Sequence, residues 1–101
     1  MAQLLYVRDE MEKEVEIINE LGLHARPAAE FVRTAQGFQS EVFLVVDERR
    51  FPADSIMEVL TAGLARGTRL VIEATGPDET EAVARLASLL EQLPQKEAEW
   101  R

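Results

Sequence analysis

Hydrophobic and polar positions follow two different periods along the chain, and these predict short strands separated by helices. Apolar–polar alternation indicates a half-buried strand, whereas apolar residues at i, i+3, i+4 and i+7 indicate a helix with one buried face. Strands are predicted at residues 14–19, 41–46, 49–51 and 69–75, the second of them from its β-prone apolar composition. Helices are predicted at residues 25–36, after Ser55, and from residue 78 to about residue 93.

Residues that end or begin regular structure lie between these segments. Gly37 supplies a stop for the first helix. Asp47 and Glu48 predict a tight turn between the two middle strands. Asp78, followed by Glu81, is a helix-start signal of the capping-box type. These turn and cap residues therefore lie at the element boundaries that the periodicity predicts.

The same periods predict which side chains point into a core. Residues 95–101 are polar and are expected to fray, with Trp100 as their only large apolar group. The predicted inward residues are Ala28, Phe31, Val32 and Ala35 in the first helix, Ile56, Val59, Leu60 and Leu64 in the second, Leu70, Ile72 and Ala74 in the last strand, and Ala82, Leu86, Leu89, Leu90 and Leu93 in the third helix.

The element order is β-α-β-β-α-β-α, and 101 residues suffice for one domain. Short strands close in sequence favour an α+β fold with a four-stranded, mostly antiparallel sheet covered on one face by three helices. A doubly wound α/β fold would need more parallel βα units than this length allows. Two layers are therefore predicted.

Charge and composition narrow the classes of function. The net charge is −8, and residues 21–72 are neutral, with six acidic and six basic side chains. Nucleic-acid binding is disfavoured because neutralising phosphates needs a basic face. The chain has no cysteine, and no secretory or membrane segment is evident, so a cytoplasmic location is expected.

The segment from Gly22 to Ala29 (Gly-Leu-His-Ala-Arg-Pro-Ala-Ala) carries the most specific chemistry. His24 is the only histidine of the chain, and it lies immediately before the predicted helix, with Arg26 two residues later. Helix N-termini have unpaired N–H groups and a partial positive charge, so they attract anions. An imidazole is largely neutral and nucleophilic near neutral pH. A phosphoryl group is therefore the expected ligand.

Three ordered segments resemble a known family. Gly22 to Ala28, followed by Phe31 and Val32, is similar to the active-site signature of HPr, the histidine phosphocarrier of the phosphoenolpyruvate-dependent sugar phosphotransferase system. The run Ser-Ile-Met-Glu-Val from Ser55 resembles the family's regulatory-serine segment, and residues 76–82 resemble the turn that opens its last helix. The resemblance covers roughly residues 12–93.

The resemblance implies an open-faced β-sandwich and a specific role for the segment around His24. His24 would accept a phosphoryl group on Nδ1 from phosphorylated enzyme I and pass it to an enzyme IIA domain. Arg26 would stabilise the phosphoryl oxygens, and Pro27 would start the helix. The protein would be a stoichiometric carrier rather than an enzyme, monomeric, without a cofactor or metal. It would be a phosphoprotein of sugar transport.

Partner contacts are predicted around the same site. Ile56 and Met57 either belong to the core or form an exposed apolar patch beside His24, and helical spacing places Ile56 inward and Met57 outward. The predicted partner-binding residues are Leu23, Ala25, Ile56, Met57 and Arg33. Beyond enzyme I and enzyme IIA, the resemblance implies an HPr kinase/phosphorylase or a transcriptional regulator as further partners.

Ser55 has two interpretations. By the resemblance it is a regulatory phosphoserine, but Ser55 with Glu58 is also a capping box that needs no kinase to explain it. Asp54 and Glu58 are acidic where the family often carries basic or neutral residues, and their charges disfavour a phosphoserine by repulsion. The interpretation as a helix cap is favoured.

Two alternatives to a transport carrier remain. One is a regulatory paralogue that acts by phosphorylation-dependent protein binding without sugar transport. The other is a small enzyme with His24 as general base, which is disfavoured because the sequence offers no second catalytic acid or base, no metal-ligand cluster and no glycine-rich phosphate loop. The resemblance also divides the chain into three parts. Residues 1–10 are predicted to be an extension, residues 11–94 the HPr-like domain and residues 95–101 a polar tail.

Overall fold

A computed structural model describes residues 10–100, and its centre is a four-stranded antiparallel sheet. The strands are β1 (Glu10–Glu16), β2 (Glu41–Val46), β3 (Arg49–Pro52) and β4 (Arg69–Thr75). Their order across the sheet is β1-β4-β2-β3, and every neighbouring pair is antiparallel. The predicted α+β fold, an open-faced sandwich with helices on one face of the sheet, is confirmed.

The strands β2 and β3 form a two-residue hairpin. Val46 pairs with Arg49, and both Asp47 and Glu48 have positive φ angles, of 50° and 69°. Two central residues with positive φ match the right-handed twist of the flanking strands. The predicted tight turn is confirmed.

Four helices are present among the described residues: α1 (Ala25–Gln36), α2 (Ile56–Thr61), α3 (Glu79–Glu91) and α4 (Leu93–Glu99). The core lies between one face of the sheet and these helices. Its predicted members on α1, β4 and α3 are buried, because each set lies on one face of its element. The buried residues of these sets are Ala28, Phe31, Val32, Ala35, Leu70, Ile72, Ala74, Ala82, Leu86, Leu89 and Leu90, with Leu93 following in α4.

The first strand and the last two helices differ from the prediction. β1 runs over Glu10–Glu16 rather than residues 14–19, because its register follows β4 from Glu10 opposite Thr75 to Glu16 opposite Arg69. Glu10 thus belongs to β1, and the remainder of the predicted extension lies outside the described residues. Pro94 lies in the first turn of α4, and this helix continues across the predicted boundary between residues 94 and 95.

Asp78 is the N-cap residue of α3, but its side chain makes no capping hydrogen bond. Its carboxylate instead accepts hydrogen bonds from the backbone N–H groups of Gln39 and Ser40, each at 2.9 Å, and from the Ser40 hydroxyl. Glu79 Oε1 accepts the Gly76 N–H at 3.0 Å, which is a bond within the turn before α3 and not the predicted capping box. The carboxylate of Asp78 therefore ties the start of α3 to the start of β2.

Candidate functional site

His24 is the N-cap residue of α1. Its backbone is extended, with φ −79° and ψ −169°, and its carbonyl accepts the Ala28 N–H at 2.9 Å. Within residues 10–100 the imidazole makes no capping hydrogen bond. The N–H groups of the first helical turn have no partner in the helix itself, so the ring stands beside a partial positive charge. Pro27 is buried in that turn, where its missing N–H costs nothing.

The loop before His24 is fixed by backbone contacts. Gly22 has φ +69°, a conformation that glycine adopts without a steric penalty. The next residue, Leu23, donates its N–H to the Leu64 carbonyl at 2.8 Å, and its side chain is buried at 5% exposure. Leu23, which the sequence predicts to contact partner proteins, thus has its side chain in the core.

The two ring nitrogens of His24 have different environments. Nε2 is buried, makes no hydrogen bond within the described chain, and lies 3.8 Å from Oε2 of Glu97. Nδ1 is not enclosed in this way, and 38% of the side chain is exposed. Nε2 thus faces the protein, and Nδ1 is the nitrogen that solvent can reach.

Arg26, in the first turn of α1, is exposed, and its guanidinium carbon lies 4.7 Å from the ring centroid of Trp100. Trp100 also meets the His24 ring edge to face, with centroids 6.2 Å apart. A cation over an indole is attracted by the negative face of the ring. Trp100, at the C-terminal end of α4, therefore contacts both residues that the sequence singled out.

Glu97 is the second contribution of α4. It is buried at 4% exposure, and its carboxylate accepts hydrogen bonds from Asn19 Nδ2 at 3.0 Å, from the Glu20 N–H at 2.9 Å and from the Leu21 N–H at 3.1 Å. These bonds hold the loop that leads to His24.

Glu97 and the contacts of Trp100 are not among the predicted site residues, because the polar composition of residues 95–101 predicts a frayed end. A signal was present, since Leu93, Glu97 and Trp100 stand at i, i+4 and i+7, on one helical face. An ion pair between Lys96 Nζ and Glu30 Oε2, 3.0 Å apart, further joins α4 to α1.

The other predicted contact residues lie on the surface. Ala25 and Arg33 are exposed on α1, and Met57 on α2 is 69% exposed. Ile56 is 37% exposed, so the prediction that it points into the core is wrong. α2 has only six residues, Ile56 is the first of them, and Val59 is the residue that this helix buries. Leu60, also predicted to point inward, is 39% exposed.

Ser55 is the N-cap residue of α2. Its hydroxyl oxygen accepts the backbone N–H of Glu58 at 3.4 Å, and its backbone is extended. This is the first half of the predicted capping box. The contact explains the serine without a modification, while its phosphorylation remains a prediction.

No helix within residues 10–100 has the length and apolar character needed to span a membrane. The same residues contain no group of three or more histidine, cysteine or carboxylate side chains placed to bind a metal ion.

Comparison with known proteins assigns the chain to a family. Residues 11–92 match the family model described as the PTS HPr component phosphorylation site. Phosphocarrier protein HPr of Vibrio cholerae is 43% identical over 82 residues, which cover 81% of this chain and 96% of that protein. Phosphocarrier protein NPr of Escherichia coli K12 is 45% identical over 76 residues, covering 74% of this chain and 84% of that protein.

A solved structure agrees with these relatives. The crystal structure of HPr from Thermoanaerobacter tengcongensis superimposes with a TM-score of 0.81 at 40% identity, covering 84% of this chain and 96% of that one. Helix α4 begins at Leu93, one residue beyond the family match. From the match over residues 11–92 and the shared fold, the chain belongs to the HPr family of phosphocarrier proteins of the phosphotransferase system.

Proposed function

We propose that His24 accepts a phosphoryl group from phosphorylated enzyme I and passes it to an enzyme IIA-type acceptor, in sugar uptake or its regulation. One observation carries this proposal. The imidazole is the N-cap of α1, with Nε2 turned into the protein and 38% of its side chain exposed. This orientation favours Nδ1 as the nitrogen that a phosphoryl donor reaches.

The site suits a reversible carrier because each stabilising contribution is modest. A helix N-terminus stabilises an exposed anion by about 0.3–1 kcal/mol. A charge-assisted hydrogen bond from Arg26 adds about 1.5–3 kcal/mol. Phosphoryl transfer depends mainly on positioning and charge stabilisation, so the partner protein can complete the site. Weak holding leaves the group free to move to the next acceptor.

Arg26 binds the phosphoryl group by turning its guanidinium away from the indole of Trp100. Its side chain is exposed, and the contact with the indole is 4.7 Å from carbon to centroid. An exposed cation–π contact contributes about 0.5–1 kcal/mol, less than a charge-assisted hydrogen bond. The guanidinium therefore gains by turning to a phosphoryl group on His24.

Partners dock on the surface formed by the exposed starts of α1 and α2. Ala25, Ile56 and Met57 supply contact area there, and Arg33 attracts acidic partners. Exposed apolar groups beside a polar site are typical of protein interfaces. Enzyme I and enzyme IIA domains use this surface while the carrier is monomeric and cytoplasmic.

The experiment mixes the protein with enzyme I, phosphoenolpyruvate and Mg²⁺ and determines its mass. We expect one added phosphoryl group, labile in acid and stable in base, on the wild type and none on His24→Ala. Ser55→Ala is the matched control and should still gain one group, because the label lies on His24. A label that survives in His24→Ala would refute the proposal.

A second step tests transfer onward. Adding an enzyme IIA domain to the phosphorylated protein should remove the label. Retention of the label with every enzyme IIA offered would favour the regulatory alternative, in which the phosphorylated state acts by protein binding.

A further inference from the structure

We propose that Glu97 is a positioning residue for His24, whose carboxylate keeps the imidazole proton on Nε2 and so leaves a lone pair on Nδ1. The inference rests on the proposed role of His24 as phosphoryl acceptor. It assigns a function to α4, a helix that lies beyond the family-matched residues 11–92.

The surroundings of Glu97 favour an ionised carboxylate. The side chain is buried, and three N–H groups donate hydrogen bonds to its carboxylate: Asn19 Nδ2 and the backbone of Glu20 and Leu21. An ionised carboxylate is acceptor-only, so it matches such a set of donors. These bonds also fix where the charge stands, since two of them come from the backbone.

The imidazole faces this charge with one specific atom. Nε2 of His24 is buried and lies 3.8 Å from Oε2 of Glu97, too far for a hydrogen bond but close enough for a strong electrostatic interaction. A neutral imidazole carries its proton on one nitrogen and a lone pair on the other. An N–H at Nε2 is attracted by the carboxylate, whereas a lone pair there is repelled. The geometry selects the tautomer with a nucleophilic Nδ1.

The same carboxylate acts during the transfer. The Nδ1 lone pair forms the N–P bond while the bond from phosphorus to the donor atom of enzyme I breaks, and its electron pair stays with that atom. The proton remains on Nε2, so the ring becomes cationic, and Glu97 offsets this charge. When the next acceptor attacks phosphorus, the N–P electron pair returns to Nδ1 and the ring is neutral again.

Nitrogen-15 NMR of the unphosphorylated full chain tests the tautomer directly, because His24 is the only histidine. In the neutral ring of the wild type we expect the proton on Nε2, exchanging slowly with solvent. Glu97→Gln should lower the share of this tautomer and slow phosphoryl transfer from enzyme I by at least about fivefold, the effect of one charge at this distance even in bulk water.

Lys96→Gln is the matched control. It removes the ion pair of α4 with Glu30 but leaves the Glu97 carboxylate in place. We expect the tautomer of the wild type and a transfer rate within about twofold of it, because the charge facing the ring is unchanged. If Glu97 acted only by holding α4 in place, the two substitutions would change the tautomer and the transfer rate alike.

A wild-type ring with its proton on Nδ1 overturns the proposal, as does a Glu97→Gln protein with the wild-type tautomer and rate. If Glu97→Gln does not fold, the wild-type spectrum decides, since a lone pair at Nε2 contradicts the assignment. A wild type that enzyme I does not phosphorylate refutes the proposed function instead. The tautomer is measured without phosphorylation, so the two failures are distinguishable.

Discussion

The guanidinium of Arg26 lies over the indole of Trp100, with its central carbon 4.7 Å from the ring centroid. Arg26 stands in the first turn of α1, and Trp100 caps the C-terminal end of α4. The contact joins the residue proposed to bind phosphoryl oxygens to a helix outside the family match. The positions of Arg26 and α4 are therefore energetically coupled.

A double-mutant cycle measures this coupling. Arg26→Ala, Trp100→Leu and the double variant should give an interaction free energy of about 0.5–1 kcal/mol, the value of an exposed cation–π pair. Urea unfolding followed by circular dichroism is suitable, because Trp100→Leu removes the only tryptophan. Arg85→Ala, an exposed arginine of α3, is the control and should be additive with Trp100→Leu. Additivity for Arg26 as well would contradict the contact.

Ser55 is predicted to stabilise α2 as its cap. Ser55→Ala removes the acceptor of the Glu58 N–H and should lower the free energy of unfolding by about 0.5–1 kcal/mol, the lower part of the usual range because the bond is 3.4 Å long. Ser55→Asn, which caps as well as serine, should retain most of the stability. Urea unfolding compares the three proteins. An alanine variant as stable as the wild type would show that the cap contributes nothing.

Elements with a regular local period could be predicted from the sequence. The buried residues of α1 recur at helical spacing, and those of β4 alternate, so each face follows from its own segment. His24 and Arg26 could also be placed at the start of α1, because Pro27 and the apolar stripe after it mark the helix. Local patterns therefore predict the buried faces of these elements and place His24 and Arg26 at the start of α1.

Residues placed by distant contacts could not be predicted in this way. Glu97 is buried because N–H groups 76 to 78 positions earlier donate to it, and no local pattern reveals such donors. Asp78 likewise serves Gln39 and Ser40 rather than its own helix. Ile56 was misplaced because α2 has only six residues, and one turn is too short for spacing to define its buried face.

Asp78 makes stability depend on pH. The Ser40 hydroxyl and then the Gln39 N–H hold the pKa of the Asp78 carboxyl below its ordinary value of 3.8. A carboxyl whose pKa is lower in the folded state adds stability above the unfolded-state pKa and loses it as the pH falls through the folded-state pKa.

Asp78→Asn should therefore be less stable than the wild type at pH 7. The difference should stay constant while the pH is lowered towards about 5 and should shrink once it passes below 3.8. Urea unfolding across this range provides the measurement. Ser40→Ala, which removes the largest cause of the shift, should weaken the acid dependence. A difference that grows in acid would contradict the assignment.

Gly22 fixes the path of the chain two residues before His24. Its φ is +69°, and a Cβ there would lie 2.5 Å from the Leu64 carbonyl oxygen and 3.0 Å from Ala65 Cα, both backbone atoms. Gly63 is a matched control, because its φ is +66° but a Cβ there would meet only the Thr61 carbonyl oxygen, at 3.9 Å. The pair separates the cost of the left-handed backbone from the cost of the clash.

Gly63→Ala should lower the free energy of unfolding by about 1–2 kcal/mol through the left-handed conformation alone. Gly22→Ala should cost about 1–3 kcal/mol more, because overpacking is added to the same backbone strain. Since the Leu23 N–H bonds to the same Leu64 oxygen, the clash also displaces His24, and phosphorylation by enzyme I should slow in Gly22→Ala but not in Gly63→Ala. Urea unfolding and the rate of phosphate incorporation measure both effects. Equal destabilisation of the two variants would mean that the loop relaxes away from Leu64 at no cost, and that Gly22 does not hold the histidine in place.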